Sequence, residues 1–166
     1  MSVTNAPHPE PAEGRVEGYG RTHSLSITKQ MQVCGVHPTH VAGIWPQVSA
    51  FIRTAMRLGY DQFYGEADIE GACSDGSAQL WVACSDTAIE AAVVSRIVRY
   101  PKRSVCQVPL IGGRFMRAWL LPMQAMIEDY ARANGCTHME GSGRLGWCRA
   151  AGYENIGPVL MKELSS

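Results

Sequence analysis

The chain has 166 residues, 46% of them hydrophobic and 18% charged, a composition typical of one globular domain with an apolar core. Its 15 basic and 15 acidic residues cancel, which argues against nucleic acid as a partner because no positive field is available to attract it. No apolar run reaches the roughly 18 residues of a membrane-spanning helix, and the N-terminus has no signal-peptide core, so we expect no membrane partner and a cytoplasmic location.

The six cysteines occur singly, without the paired spacing of a metal site or of a disulfide framework. We therefore expect reduced thiols and no bound metal. Cys34, Cys84 and Cys106 have apolar neighbours in the sequence and are predicted to be small, buried hydrophobic residues.

Residues 1–24 contain three of the nine prolines, several glycines and almost no large apolar side chains. Such a segment cannot bury enough surface to offset the entropy lost when it becomes ordered. We predict that it is an arm that is disordered or is ordered by a partner. Residues 25–166 are predicted to form a single domain.

The predicted elements begin with a strand over residues 26–34. A helix follows, with Pro38 in its first turn and apolar residues at helical spacing as far as Gly59. A short second helix is predicted over residues 66–73, and the Ser74-Asp75-Gly76 turn ends it.

Three strands with hairpin-length connections are predicted next, over residues 79–84, 89–100 and 104–108. The helix that follows has an apolar stripe and ends at Asn134-Gly135, while Pro122 marks either its first turn or a kink. The remaining predicted elements are a strand over residues 137–140, a short helix over 145–151 and a last strand over 155–164.

Two segments fit a known pattern. Leu80-Trp81-Val82-Ala83, a turn and Ala91-Ala92-Val93-Val94 are similar to a central hairpin, and Cys148-Arg149-Ala150-Ala151-Gly152-Tyr153 is similar to a turn usually written Y-x-x-x-G-F. With the order of the elements, they resemble the GNAT superfamily of N-acetyltransferases over residues 29–164. The resemblance implies an α/β fold of the α+β type, with a mixed, mostly antiparallel central sheet and helices on both faces.

The resemblance also implies that acetyl-coenzyme A binds where the strand ending near Val108 separates from the strand at residues 137–140. A glycine-containing loop that enters a helix exposes backbone N–H groups to a pyrophosphate, and the helix dipole adds to the attraction. Gly112 and Gly113 are adjacent, which departs from the family's R/Q-x-x-G-x-G/A spacing. The alternative to a cofactor loop is therefore a turn in which these glycines provide positive φ. The candidate cofactor-binding residues are Val108, Ile111, Gly112, Gly113 and Arg114.

Two residues are candidates for catalysis. In the family, a tyrosine four residues before the C-terminal glycine protonates the leaving thiolate, and Cys148 occupies the matching position; the alternative is a packed apolar cysteine. Glu140, at the end of its predicted strand, is a candidate general base acting through water, and the alternative is a solvated strand end. His138 is a weaker candidate on the same face of the strand, with Met139 on the other face.

Other marked residues have structural interpretations. The apolar context of Trp45, Trp81 and Trp119 predicts that they belong to the core. A group of basic residues around a hairpin turn is predicted to form a solvated rim: Arg96, Arg99, Lys102 and Arg103.

The sequence supports two functions. The first is an N-acyltransferase that moves the acetyl group of acetyl-coenzyme A to the amine of a small molecule or a protein. The alternative is a non-catalytic component of a phage virion or of its assembly, located in the virion and bound to other phage structural proteins. This alternative arises because the chain also resembles small GNAT-like proteins encoded by tailed phages and prophages. The glycine spacing and the missing tyrosine favour it, and fold alone does not decide function.

Overall fold

The computed structural model describes residues 31–141 and 152–155 of the chain. Within this part the elements follow the order β1, α1, α2, β2, β3, β4, α3, β5, with a 3-10 turn at Pro38–His40 before α1. The strands are β1 (Gln32–Gly35), β2 (Gln79–Cys84), β3 (Ile89–Tyr100), β4 (Arg103–Gly113) and β5 (His138–Gly141). The helices are α1 (Val41–Met56), α2 (Glu66–Asp75) and α3 (Met116–Ala133).

The strands form one sheet, in which they lie in their order along the chain. Strands β1 to β4 pair antiparallel with their neighbours, whereas β4 and β5 are parallel. The parallel pair requires a crossover connection, and α3 provides it. The predicted mixed, mostly antiparallel sheet is therefore confirmed.

Side chains alternate between the two faces of the sheet, and each face carries its own apolar core. Helices α1 and α2 pack on one face, which we call the α1 face, against residues such as Leu80, Val94 and Leu110. Helix α3 packs on the other, the α3 face, where Trp119 and Ile127 contact the sheet core. The predicted arrangement of helices on both faces is confirmed.

The predicted core tryptophans are buried. Trp45 is 5% exposed, Trp81 is 4% exposed and Trp119 is 1% exposed. Each indole N–H has a partner: Glu66 for Trp45, Ser95 for Trp81 and the carbonyl of Arg114 for Trp119. These bonds let large amphipathic rings enter the core without an unsatisfied donor.

Helix α2 has the ends that its sequence predicts. The backbone N–H of Gly65 donates to the Asp68 carboxylate at 2.7 Å, which ties the chain just before the first turn. At the other end Gly76 has a φ of 83°, a left-handed conformation that favours glycine.

The structure decides between the two positions predicted for Pro122. Helix α3 begins at Met116, so Pro122 lies inside the helix and not in its first turn. Proline has no N–H, so the helix lacks the bond that this position would donate to the carbonyl of Ala118.

Several predictions fall wholly or mostly outside the described residues. They concern the N-terminal arm over residues 1–24, the start of the first strand at 26–30, the helix at 145–151 and the strand at 155–164. The predicted first strand overlaps β1 at residues 32–34.

The described cysteines are free thiols that differ in burial. Cys106 is buried and Cys84 is half-buried, whereas Cys34 is exposed, so its predicted burial is wrong. Cys34 lies on β1, a short strand that pairs with β2 alone among the described strands. Burial raises the pKa of the Cys73 thiol to about 12 and that of Cys106 to about 11.

None of the helices within residues 31–141 and 152–155 is long and apolar enough to cross a bilayer.

Candidate functional site

Strand β5 pairs with one part of β4. Their parallel register runs from Val105 opposite His138 to Val108 opposite Gly141. Strand β4 continues to Gly113, and the described part of β5 runs to Gly141. Beyond Val108, therefore, β4 has no partner from β5 in the part of the chain that the structure describes.

A bulge in β4 lies at the same point. The pairing with β3 joins Arg96 to Gln107 but Val94 to Leu110, so two steps along β3 match three along β4. The extra residue reverses the alternation of side chains, because Val108 packs on the α3 face and Leu110 on the α1 face. A bulge locally disrupts the ladder, and this one does so where β5 ends.

Four half-buried side chains form a row across the α1 face, which we call the polar row: Tyr64, Arg96, Gln107 and Glu140. The amide nitrogen of Gln107 donates to Oε1 of Glu140 at 2.6 Å. Nε of Arg96 donates to the amide oxygen of Gln107 at 2.6 Å. A second guanidinium nitrogen of Arg96 donates to the hydroxyl of Tyr64 at 3.4 Å.

Glu140 lies at the end of β5, where the sequence predicted it. Met139 packs in the core of the α3 face, so Glu140 and His138 share the α1 face as expected. His138 is exposed, and its Nδ1 lies 2.8 Å from the hydroxyl of Thr137. Glu140 is the more enclosed of the two candidate bases, and its catalytic role stays a prediction.

Two tyrosines follow α1 and lie beside the polar row. The rings of Tyr60 and Tyr64 stack with centroids 5.1 Å apart. Burial raises the pKa of Tyr60, the charge of Arg96 lowers it, and the charges of Tyr64 and Glu140 raise it. Glu140 therefore lies within electrostatic reach of the segment that connects α1 to α2.

The glycine pair lies in β4, not in the predicted loop. Gly112 pairs with Ala92 and Gly113 with Ala91. A Cβ on Gly112 would collide with the backbone carbonyl of Phe51 in α1, and one on Gly113 would collide with Ala91. Close backbone approach accounts for both glycines, and the connection from β4 to α3 is reduced to Arg114 and Phe115. A cofactor contact by Val108, Ile111 or either glycine stays a prediction.

Arg114 is held at the junction between β4 and α3. Its backbone N–H donates to the carbonyl of Glu90 at 2.8 Å, and its guanidinium pairs with the Glu90 carboxylate at 2.9 Å. The Glu90 side chain is 6% exposed, whereas that of Arg114 is 61% exposed. The guanidinium is thus anchored on one side and open to solvent on the other.

The first turn of α3 is electropositive. Phe115, at the N-cap, has a left-handed φ of 55°, its side chain makes no cap hydrogen bond, and the first turn has no acidic residue. The N–H groups at a helix start carry partial positive charge. Arg114 and the exposed Arg117 add full positive charges beside them.

No family model and no curated protein matches the sequence. Solved structures do match the fold. An aminoglycoside acetyltransferase from an uncultured soil metagenomic sample, solved with sisomicin, has a TM-score of 0.59 at 7% identity, over 81% of this chain and 97% of that one. An aminoglycoside N-acetyltransferase in complex with coenzyme A has a TM-score of 0.58 at 14% identity, over 82% and 96%.

A ribosomal-protein-alanine N-acetyltransferase from Brucella melitensis biovar Abortus 2308 has a TM-score of 0.59 at 12% identity, over 80% of this chain and 99% of that one. This chain has the GNAT fold. At such low identities the likeness establishes the fold alone.

The predicted acid of the GNAT resemblance, Cys148, lies outside the described residues. The nearby segment 152–155 is described, and Gly152 has a φ of 72°. The ring of Tyr153 lies 3.6 Å from the point that a Cβ on Gly141 would occupy, at the end of β5. Burial raises the pKa of Tyr153 to about 12.

The sequence interpretation missed most of the polar row. Arg96 was assigned to a solvated rim, which is wrong, since its guanidinium is half-buried between Tyr64 and Gln107. The hairpin turn at Pro101-Lys102 sets the strand register that places Arg96. Counting back from the observed pair Tyr100 and Arg103 places Arg96 opposite Gln107 on one face of the hairpin.

Within residues 31–141 and 152–155, no group of three or more His, Cys, Asp or Glu side chains is arranged to hold a metal ion.

Proposed function

We propose that this protein is an N-acyltransferase that moves the acetyl group of acetyl-coenzyme A to the amine of a small molecule or a protein. The observation that carries the proposal is the bulge in β4 next to the last described pair of β4 and β5, with a half-buried carboxylate, Glu140, beside it. Support comes from neighbours of the same fold that are described as acetyltransferases of aminoglycosides and of a ribosomal protein. One neighbour was solved with coenzyme A.

The described residues fit the cofactor in two respects. Among the described residues, the edge of β4 beyond Val108 on the side of β5 has no paired strand and offers backbone groups to an elongated chain. The start of α3 offers N–H groups, with Arg114 and Arg117 to pair with phosphate oxygens. Gly112 and Gly113 do not add to this fit, because their missing side chains make room for protein backbone.

When bound, acetyl-coenzyme A supplies an activated acetyl group: the amine nitrogen bonds to the acetyl carbon, and the carbon–sulfur bond breaks with its electron pair on sulfur. Glu140 accepts the proton that the amine must lose, directly or through a water. An alkyl amine such as that of lysine, with a pKa of about 10.4, is protonated at neutral pH and needs such a base. Cys148 is the proposed donor of the proton that the thiolate takes up.

Thermal unfolding of the full chain with increasing acetyl-coenzyme A tests the proposal. A ligand at about a hundred times its dissociation constant stabilises the folded state by roughly 2.7 kcal/mol. We expect a saturable rise in Tm, and release of thiol when amines are added. No rise in Tm up to millimolar cofactor would contradict the proposal.

A second candidate is a non-catalytic virion or assembly component that binds other phage structural proteins. Exposed apolar side chains at the start of α3 favour it, since Phe115 is 63% exposed, Met116 is 41% exposed and Leu121 is 66% exposed. The absence of cofactor binding together with incorporation into particles would support this function. The enzyme is proposed to act in the cytoplasm and the component in the virion.

A further inference from the structure

The polar row has a fixed direction. A guanidinium can only donate hydrogen bonds, so Arg96 must face the amide oxygen of Gln107. The amide nitrogen of Gln107 then faces Glu140 and donates to Oε1 at 2.6 Å. The row thus connects a positive charge on β3 to a negative charge on β5 through one neutral amide on β4.

This arrangement leaves one oxygen of Glu140 for chemistry. Among residues 31–141 and 152–155, the hydrogen bond to this carboxylate is made at Oε1. A carboxylate has acceptor capacity on both oxygens, so Oε2 retains its own for a proton. Because Gln107 holds Oε1, the carboxylate plane cannot rotate freely at the end of β5.

We propose that Gln107 and Arg96 are positioning residues for Glu140: they fix the orientation of its carboxylate and present Oε2 to the amine of the acceptor on the α1 face. The inference rests on the proposed transfer to an amine, and it extends the site from Glu140 to β3 and β4. It assigns the acceptor to the α1 face, on the side of the sheet where Tyr60 and Tyr64 lie.

The charged and titratable groups around Glu140 come from several elements. Arg96 on β3 reaches Glu140 through Gln107, whose amide nitrogen donates to the Glu140 carboxylate. From the segment after α1, Tyr60 lies within electrostatic reach of Glu140. Tyr64 bonds Arg96, and His138 shares the face of β5.

Two substitutions at Gln107 separate positioning from packing. Gln107→Glu keeps the shape and the bond to Arg96 but replaces the donor with a second carboxylate beside Glu140. Gln107→Leu removes the donor and adds no charge. We expect the acid limb of the transfer to move to higher pH in Gln107→Leu, which loses the donor, and further in Gln107→Glu, which adds a like charge beside Glu140.

The same chemistry elsewhere in the chain provides a matched control. On α3, the amide nitrogen of Gln124 donates to the carboxylate of Glu128 at 2.8 Å. Gln124→Leu removes a glutamine next to a glutamate, as Gln107→Leu does, but on the helix. It should leave the pKa of Glu140 and the pH profile of the transfer unchanged.

The experiment uses two readouts on the full-length chain. The first is the pKa of Glu140 from its side-chain carboxyl carbon by NMR, which needs neither cofactor nor activity. The second is the acid limb of kcat/KM against pH for one amine acceptor, which reports the base of the free enzyme. We expect both to move to higher pH in the order wild type, Gln107→Leu, Gln107→Glu, with Arg96→Gln also raised.

The outcomes are distinguishable. Equal shifts in both readouts support the inference. A Glu140 pKa that is unchanged in Gln107→Glu, with the chain folded, overturns it, as does an acid limb that stays in place while the NMR value moves. A wild-type chain that transfers no acetyl group overturns the proposed function and the acceptor assignment. In that case, a shift of the NMR value between the wild type and the Gln107 variants still supports the electrostatic link through Gln107.

Discussion

The two halves of β4 meet at the bulge and differ in what surrounds them. Before it, Gln107 on the α1 face reaches polar partners on β3 and β5, and all of them keep access to solvent. After it, Gly112 and Gly113 are fitted against the backbones of α1 and β3. The first half has a polar side chain for chemistry, while the glycines of the second half serve packing, so substitutions at these residues should fail in different ways.

The largest expected effect is on stability, at Gly112. Gly112→Val places a branched side chain against the backbone carbonyl of Phe51, which cannot move without shifting α1. We expect the free energy of unfolding to fall by about 3 kcal/mol or more, since overpacking of a close contact forces backbone shifts. Denaturant unfolding followed by circular dichroism measures it.

Gly71→Ala on α2 is the control for that prediction, because a Cβ there meets nothing within 4 Å. It should be neutral or slightly stabilising, since alanine is the better helix former. A Gly112→Val chain as stable as wild type that has lost cofactor binding would restore the interpretation of a ligand loop and contradict the packing account.

Next to the other half of β4, where Gln107 contacts Glu140 of β5, the largest expected effect is on activity. Glu140→Gln removes the proposed base without changing its size, and turnover should fall about a hundredfold or more with cofactor affinity unchanged. The assay is steady-state acetyl transfer together with a cofactor titration. Glu128→Gln on α3 is the control, and comparable losses in both variants would remove Glu140 from the mechanism.

A smaller effect is expected from the buried thiols. The folded-state pKa of Cys106 is raised by burial from 9.0 to about 11, so its stabilising contribution is fully present below pH 9 and is lost as the pH rises towards 11. The free energy of unfolding should fall in this window by up to about 1.4 kcal/mol per pH unit. Cys106→Ala should flatten this alkaline decline in urea titrations, and an unchanged slope would contradict the assignment.

The smallest effect concerns the start of α3. Arg117 is exposed there, and its removal should weaken cofactor binding only a few-fold, because an exposed charge contributes about 1 kcal/mol or less. Titration calorimetry at low and high salt would measure the change, which should shrink as salt rises. Arg57→Ala, at the end of α1, should have no effect, and equal effects of both variants would point to net charge alone.

Local chemistry explains what the sequence predicted well. The bounds of β2 and β3 follow from continuous apolar runs between turn residues, and α2 ends at Gly76 because glycine tolerates its left-handed φ. The bulge in β4 and the role of Gly112 could not be predicted from the sequence, because both depend on contacts with residues that are distant along the chain, such as Phe51. Of the site, Glu140 was predicted from its strand, whereas Arg96 required the hairpin register.

The most direct test of the central claim is a map of amide chemical shifts as acetyl-coenzyme A is added to the full-length chain. The account predicts the largest changes where β4 leaves β5 and where α3 begins, at Val108, Leu110, Met116 and Arg117. Amides at the turn between β3 and β4, such as those of Lys102 and Arg103, should stay in place. Changes confined to that turn, or no changes at saturating cofactor, would contradict the claim that the opening between β4 and β5 binds the cofactor.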